Sequence, residues 1–393
     1  MRFACRLMLA VTALFGMSAF AAACLWDSDT LRQERARFPS TLELITGKFL
    51  RHSPEFYEWR IQDRLEKLKA DPTNLALHDD LAVAYEKVGQ HALAIKTILA
   101  KEEIQPGLYE TYSNLGTFHI LAGDFELGLP LIDKALAINP DAHFGRERYQ
   151  KWLVEYALTR RIDGQLQFPL RQSIEAAKEN NVATDFRVFL SQKLGTEQLS
   201  FEDSQKAVQG ILGMMRFANH RNPLLLEALG DLLVNLDRFE VPQDAKNLAT
   251  RCYLKASYEF ADDETTRKRY RELAEKALRG QTPETILTDQ LELADLEKDF
   301  QAQLADAEKW YAQLKAQEIG WIQAGLNADA EFNRLYAKEP VARDPEDGLL
   351  GTREFKFHLS LGVALAALSL AVILALRKRR RMKPSRRSQT NWP

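Results

Sequence analysis

The chain is poor in cysteine. Cys5, Cys24 and Cys252 are the only three in 393 residues, so no disulfide framework can hold the fold together. It also has no N-x-S/T sequon, which favours a bacterial envelope protein over a eukaryotic secretory one. No G-x-G-x-x-G, G-x-x-x-x-G-K-[ST], G-x-S-x-G or H-E-x-x-H occurs. The seven histidines (His52, His78, His91, His119, His143, His220 and His358) form no close Cys/His pattern. The stretch DSDTLRQE, Asp27 to Glu34, lacks the central glycine and acidic spacing of a calcium loop. Asp29 or Thr30 reads better as the cap of a following helix. These absences leave no catalytic residues, no metal site and no cofactor to expect, and the chain reads as a non-enzyme.

Acidic residues are missing from both ends. Arg2 and Arg6, the apolar stretch Leu7 to Phe20 and the small residues Ala19 to Ala23 have the layout of a secretory signal over residues 1–23. At the other end, Leu359 to Leu376 contains neither a charge nor a proline. Eighteen helical residues reach about 27 Å, the thickness of a bilayer core. With Phe355 and Phe357 at the near interface, residues 355–376 read as a transmembrane helix. The eight basic residues of the tail 377–393 mark its cytoplasmic side. The bulk of the chain is therefore expected outside the cytoplasm, moored in the inner membrane by its carboxyl end. Removing the ten basic residues of the two ends leaves 43 against 55 acids, a balance of −12 for the exported part. Such a surface disfavours nucleic acid as a partner.

Cys24 follows Ala21-Ala22-Ala23 and resembles the lipidated cysteine of a bacterial lipobox, although Ala21 stands where a branched aliphatic residue is usual. Pairing with Cys252 in an oxidising compartment is the other fate open to it.

Periodicity is the strongest positive feature. Pro72, Pro106 and Pro140 recur every 34 residues, as do Leu81/Leu115, Gly89/Gly123 and Ile98/Ile132. In the first copy Leu81-Ala82, Tyr85, Gly89, Ala94 and Pro106, and in the second Leu115-Gly116, Gly123, Gly128, Ala135 and Pro140, resemble the tetratricopeptide repeat signature. His119 stands where that family usually has an aromatic. The resemblance implies helix–turn–helix units over 75–108 and 109–142, with a degenerate unit near 223–258 marked by Leu229-Gly230, Ala249, Tyr253 and Ala256. Small residues at Ala82/Gly116 and Ala94/Gly128 would let paired helices approach closely. Ser53-Pro54 is an N-cap followed by proline at the first helical position, opening an upstream helix to Ala70. The segment Asp141 to Asn222 reads as mostly helical but out of phase. The fold class expected is all-α: a tetratricopeptide-like solenoid over 24–278, a long amphipathic region over 279–340, a linker over 341–354, then the membrane helix.

In the amphipathic region Leu293, Leu296, Phe300, Leu304, Ala307, Tyr311 and Leu314 form one apolar stripe. It serves either packing against the solenoid's own end or self-association through 284–318. The resemblance also implies that partners bind the concave face formed by the first helix of each unit. That face maps to Ala76, Asp79, Val83 and Glu86 in one copy and Glu110, Ser113, Asn114, Thr117 and Ile120 in the next. These residues lack the Lys/Asn/Arg set that the family uses for a terminal carboxylate. A mixed apolar and polar protein segment, basic to suit the acidic surface, is the ligand expected. The function expected is an extracytoplasmic scaffold for protein–protein interaction. Two other readings stand beside it: an envelope hydrolase or sugar-modifying enzyme with a scattered site, and a bridge between two membranes through lipid on Cys24.

Overall fold

A computed structural model describes residues 25–30, 38–236, 244–279 and 292–336. All belong to the unit that runs to Leu350. The signal, Cys24, the turn around Val241 and Pro242, the linker, the apolar run 355–376 and the basic tail lie outside the described residues. Among the described residues no helix is long and apolar enough to cross a membrane.

The architecture is all-helical. After a short helix α1 (Thr41–Thr46), five helices follow in sequence: α2 (Pro54–Ala70), α3 (Leu75–Lys87), α4 (His91–Ile104), α5 (Tyr109–Ala122) and α6 (Phe125–Ile138). Each packs on the next, so α2 to α6 form a row of helical hairpins. The 34-residue sequence period reappears in the helix starts, Leu75 to Tyr109 and His91 to Phe125. Pro72, Pro106 and Pro140 each stand two residues beyond a helix end. The Ser53 hydroxyl accepts from the Phe56 amide at 3.2 Å, capping α2 with Pro54 in its first turn. Gly123 ends α5 with φ +90°, the left-handed conformation that spares a Cβ clash. The second hairpin closes on glycine. A Cβ on Gly128 would stand 2.8 Å from the Gly116 carbonyl oxygen, and one on Gly116 would stand 2.7 Å from Ile132. The helices meet there backbone to backbone.

A short 3-10 turn (Ala142–Gly145) leads into α7 (Arg146–Leu158), and then the helical rhythm breaks. Two short strands, β1 (Arg161–Ile162) and β2 (Gln165–Leu166), pair antiparallel with Arg161 opposite Leu166. The two-residue turn between them is Asp163-Gly164, both at positive φ, +50° and +77°. Two successive left-handed residues are what a tight type I′ hairpin turn requires, and Asp-Gly is a preferred pair there. The expectation of a mostly helical 141–222 does not include this hairpin.

The remainder is α8 (Ile174–Glu179), α9 (Phe186–Leu194), α10 (Phe201–Phe217), α11 (Pro223–Leu236), α12 (Asp244–Tyr258), α13 (Glu264–Arg279), α14 (Leu293–Gln323) and α15 (Ala328–Tyr336). Ser200 caps α10, accepting from the Asp203 amide at 3.0 Å. Gly230 of α11 lies against the Tyr253 ring of α12, where a Cβ would come within 2.7 Å. One continuous apolar core runs through this half, from Leu44 and Ile45 through Leu229 and Tyr253 to Leu296 and Phe300.

At 31 residues, α14 is about 46 Å long. It does not stand off as a stalk. Its stripe residues Leu296, Phe300, Ala307 and Leu314 are buried against the chain's own helices, and α14 contacts α1, α2, α12 and α13. The buried part of the stripe is thereby occupied within the molecule. The helix runs past Gly320 to Gln323, with Ala324 as its C-cap before Gly325 at φ +68°.

Candidate functional site: a groove that holds the chain's own segment

The face that α3 and α5 of the first two hairpins present together is covered. Residues 25–30 lie across α3 and α5. Leu25 is 2% exposed and joins the cluster of Ala82, Val83, Ala94, Ile98, Leu115 and Phe118. Asn114 takes the next residue by its main chain: Trp26 N donates to Asn114 Oδ1 at 2.9 Å, and Asn114 Nδ2 donates to Trp26 O at 3.0 Å. One side-chain amide thus reads both the donor and the acceptor of an extended peptide unit, as a neighbouring strand would. The Trp26 ring meets Tyr109 edge-on, 5.7 Å between centroids. Further along, Ser28 N donates to Asp80 Oδ1 at 2.9 Å. Asp27 Oδ1 accepts from both the amide and the hydroxyl of Thr30, at 2.8 and 2.9 Å. The cap of this turn is therefore Asp27, rather than Asp29 or Thr30.

The positions expected to face a partner divide into three sets. Asp79, Val83 and Asn114 lie beside or beneath the bound segment. Asp79 is 6% exposed and receives both bonds of Lys101 Nζ, at 2.8 and 2.7 Å. Burial, only partly offset by Lys101, pushes its pKa up to about 7. Ser113, Thr117 and Ile120 instead meet the next helix along the row. Ser113 Oγ donates to Glu147 at 3.4 Å, Gln150 Nε2 donates to Thr117 Oγ1 at 3.1 Å, and Ile120 clusters with Val154. The row continues past the second hairpin, so α7 covers that part of the face. Ala76 is exposed and Glu110 half-buried at their helix starts, while Glu86 turns to His91 Nδ1 at 2.8 Å.

The segment's two acids enter a charged recess of α2 that the sequence reading does not contain. Arg60 is fully buried and meets Asp27 (3.3 Å), Asp29 and Asp329. One turn on, Arg64 meets Asp80 at 2.9 Å and Asp329 at 2.6 Å. Two guanidiniums thus join residue 27 at one end of the chain to α15 at the other. His52 extends the network. Its Nε2 lies 3.2 Å from Asp29 and its Nδ1 faces Glu318, whose other oxygen accepts from Ser53 N at 2.8 Å. The imidazole is stacked on Phe56, 3.6 Å between centroids. Burial opposes its charge, but the two carboxylates prevail and raise its pKa. Both ring nitrogens face carboxylates, an arrangement suited to cross-linking rather than to proton transfer. Burial, reinforced by Asp29, lifts Asp27 to about 6 against the pull of Arg60.

One signal in the sequence points to this recess. Phe56, Arg60 and Arg64 recur every fourth residue on the buried face of α2. Arginines in apolar register must find carboxylates inside the fold.

Cys252 lies fully buried in the large core, and burial pushes its thiol pKa up. Leu25, the neighbour of Cys24, belongs to a different cluster. Among the described residues no group of three or more His, Cys, Asp or Glu could hold a metal ion. No family model and no curated protein matches the chain.

Proposed function

We propose that the chain is a tetratricopeptide-like scaffold, moored in the inner membrane by residues 355–376, that captures a protein segment in its concave groove on the extracytoplasmic side. The Asn114 clamp on the Trp26 main chain carries the reading. A groove that satisfies both polar groups of an extended peptide unit, with apolar contact before it and cations after it, has the chemistry of peptide capture. The same chemistry revises the partner. Net charge points to a basic segment, but the occupant carries Asp27 and Asp29, which meet Arg60 and His52. The partner is accordingly an extended segment with an aromatic residue followed by acids, competing with residues 25–30. In this reading the apolar run and basic tail supply the anchor and its orientation.

The test is binding of a labelled peptide, Leu-Trp-Asp-Ser-Asp-Thr, to the detergent-solubilised chain carrying Trp26→Ala. Saturable binding that Asn114→Ala weakens by about tenfold is expected, since a buried hydrogen-bonding group is removed. Absence of binding, or binding indifferent to Asn114, sinks peptide capture. A reporter fused after Trp392 that is active only in the exported compartment sinks the topology.

A further inference from the structure

Behind the bound segment lies a cavity of about 310 Å³. Residues 25–30 form one wall, and the opposite wall is the end of α10 with the turn that follows, Phe217 to His220. Arg51, His52, Tyr57, Lys87, Arg216 and Tyr311 also line it. Its charges are arranged unevenly. The acids on the segment side, Asp27 and Asp29, are engaged by Arg60 and His52.

The cations on the other side have carbonyls and rings where acids would be expected. Arg51 donates to the carbonyls of Gly47 and Phe49, and its guanidinium lies 3.6 Å from the Tyr311 ring centroid. Lys87 Nζ donates to the carbonyls of Phe217 and Ala218. Just behind, Lys255 donates to the Ile45 carbonyl. Among the described residues none of these three forms an ion pair with a carboxylate. His220 stands between them with its ring edge-on to Phe49, 5.4 Å between centroids. The other acids facing this cluster are also engaged: Glu86 of α3 with His91, and Glu259 beyond α12 with Arg221 at 2.9 Å.

Like charges gathered away from water repel unless an anion joins them. The protonation of the cluster registers that cost. Burial brings Lys87 down to about 8 and Lys255 to about 7. Burial together with Lys255, Arg51, Arg221 and Lys87 holds His220 well below the usual imidazole range.

We infer that this cavity binds a small multivalent oxyanion, held by Arg51, Lys87 and His220. Its volume falls at the lower end of small-molecule sites, about 300–1,000 Å³, which suits a phosphate-bearing or dicarboxylate small molecule and not a polymer. Arg51 offers a planar fork and Lys87 a mobile ammonium, the two complementary ways of meeting an oxyanion. A bound anion favours the charged forms of Lys87 and His220. Binding therefore takes up protons and tightens as pH falls from about 8 towards 6. Protonation of Asp27 over the lower part of that window acts in the same direction. None of its three ligands touches the Asn114 clamp, but residues 25–30 wall the site, so the titration uses the chain with its own segment unsubstituted.

The experiment is calorimetric titration of the full-length chain in detergent with inorganic phosphate and, separately, malonate, each against sodium chloride at equal ionic strength. Expected is saturable binding by one probe or both, with a heat that changes with the buffer's ionisation enthalpy near pH 7.5. The relative affinities of the two probes tell a phosphate ligand from a dicarboxylate. Lys87→Gln, which keeps a donor for the Phe217 carbonyl, lowers affinity about tenfold or more, while Lys206→Gln, at an exposed lysine of α10 that does not line the cavity, leaves it nearly unchanged. Heats that match the chloride control for both anions overturn the inference. So does undiminished binding by Lys87→Gln.

Discussion

The row of hairpins from α2 to α6 and the block from α9 to α13 are both helical, yet different forces hold them. In the block a single apolar core continues from Leu190 through Leu229 and Tyr253 to Tyr270. In the row the apolar contacts divide into small clusters, such as Ile61, Leu81 and Ala84. Between those clusters lie buried polar groups: Arg60, Asp79, Lys101, Ser113, Asn114 and Thr117. A surface that must meet a polar main chain cannot be paved with leucine. The row gains specificity at the cost of tolerance, because each buried polar group requires its partner.

The largest effect that would sharpen this contrast is at Arg60. Arg60→Ala leaves Asp27, Asp29 and Asp329 facing one another without their shared cation, a loss of about 3–5 kcal/mol. Urea unfolding of the full chain measures it, and limited proteolysis should show cleavage within 25–30 at the same time. A truncation in the block such as Leu229→Ala costs a comparable ~2–5 kcal/mol through its cavity, but it should leave the 25–30 segment protected. Equal exposure of that segment in both variants would erase the distinction between the two regions.

Next comes the close approach of α5 and α6. Gly128→Ala forces a Cβ against the Gly116 carbonyl and Ile120 and should cost about 1–3 kcal/mol. The reverse sign is expected in α14. Gly320 lies in the last turn of the helix with nothing within 4 Å of an added Cβ, so Gly320→Ala should stabilise by about 0.5 kcal/mol. Thermal unfolding of the pair of variants checks both signs.

One of the block's buried polar groups is pH-sensitive. Glu227 receives the amides of Leu170 and Arg171 at 2.9 and 2.7 Å and the Tyr270 hydroxyl at 2.6 Å. It pins an irregular stretch to α11. Burial, reinforced by Asp231, raises its pKa to about 7. The folded state then holds this proton more firmly than the unfolded chain, so its contribution is fullest in acid and declines as pH rises from about 4.5 to 7. Glu227→Gln cannot titrate. The stability of the unsubstituted chain relative to this variant should fall across that window by on the order of 1 kcal/mol and then level off. Parallel curves would mean that Glu227 does not carry the effect.

Much of the row was legible from residues alone, because helix packing repeats: the 34-residue period, and Ser53-Pro54 at a helix start. The Leu293–Leu314 stripe was legible as a stripe, but its neighbour was not. An apolar face has the same spacing whether its own chain or a second copy covers it. Residues 25–30 have no period at all, and nothing local in Leu-Trp-Asp-Ser-Asp-Thr announces that Asn114, 88 positions on, will take its backbone. Net charge, likewise, averages a whole surface, whereas residues 25–30 meet only the few groups nearest to them, Arg60 among them.

The meeting of Asp27 and Asp29 with Asp329 on Arg60 has a mechanical consequence. Were lipid at Cys24 and a helix at 355–376 to be tugged in opposite directions, the load would enter and leave the domain at one corner. Tension would shear a knot of two guanidiniums and their carboxylates before it stretched a single hairpin of the row. Such a molecule resembles a clasp more than a spring: rigid up to the rupture of that knot, and then abruptly longer.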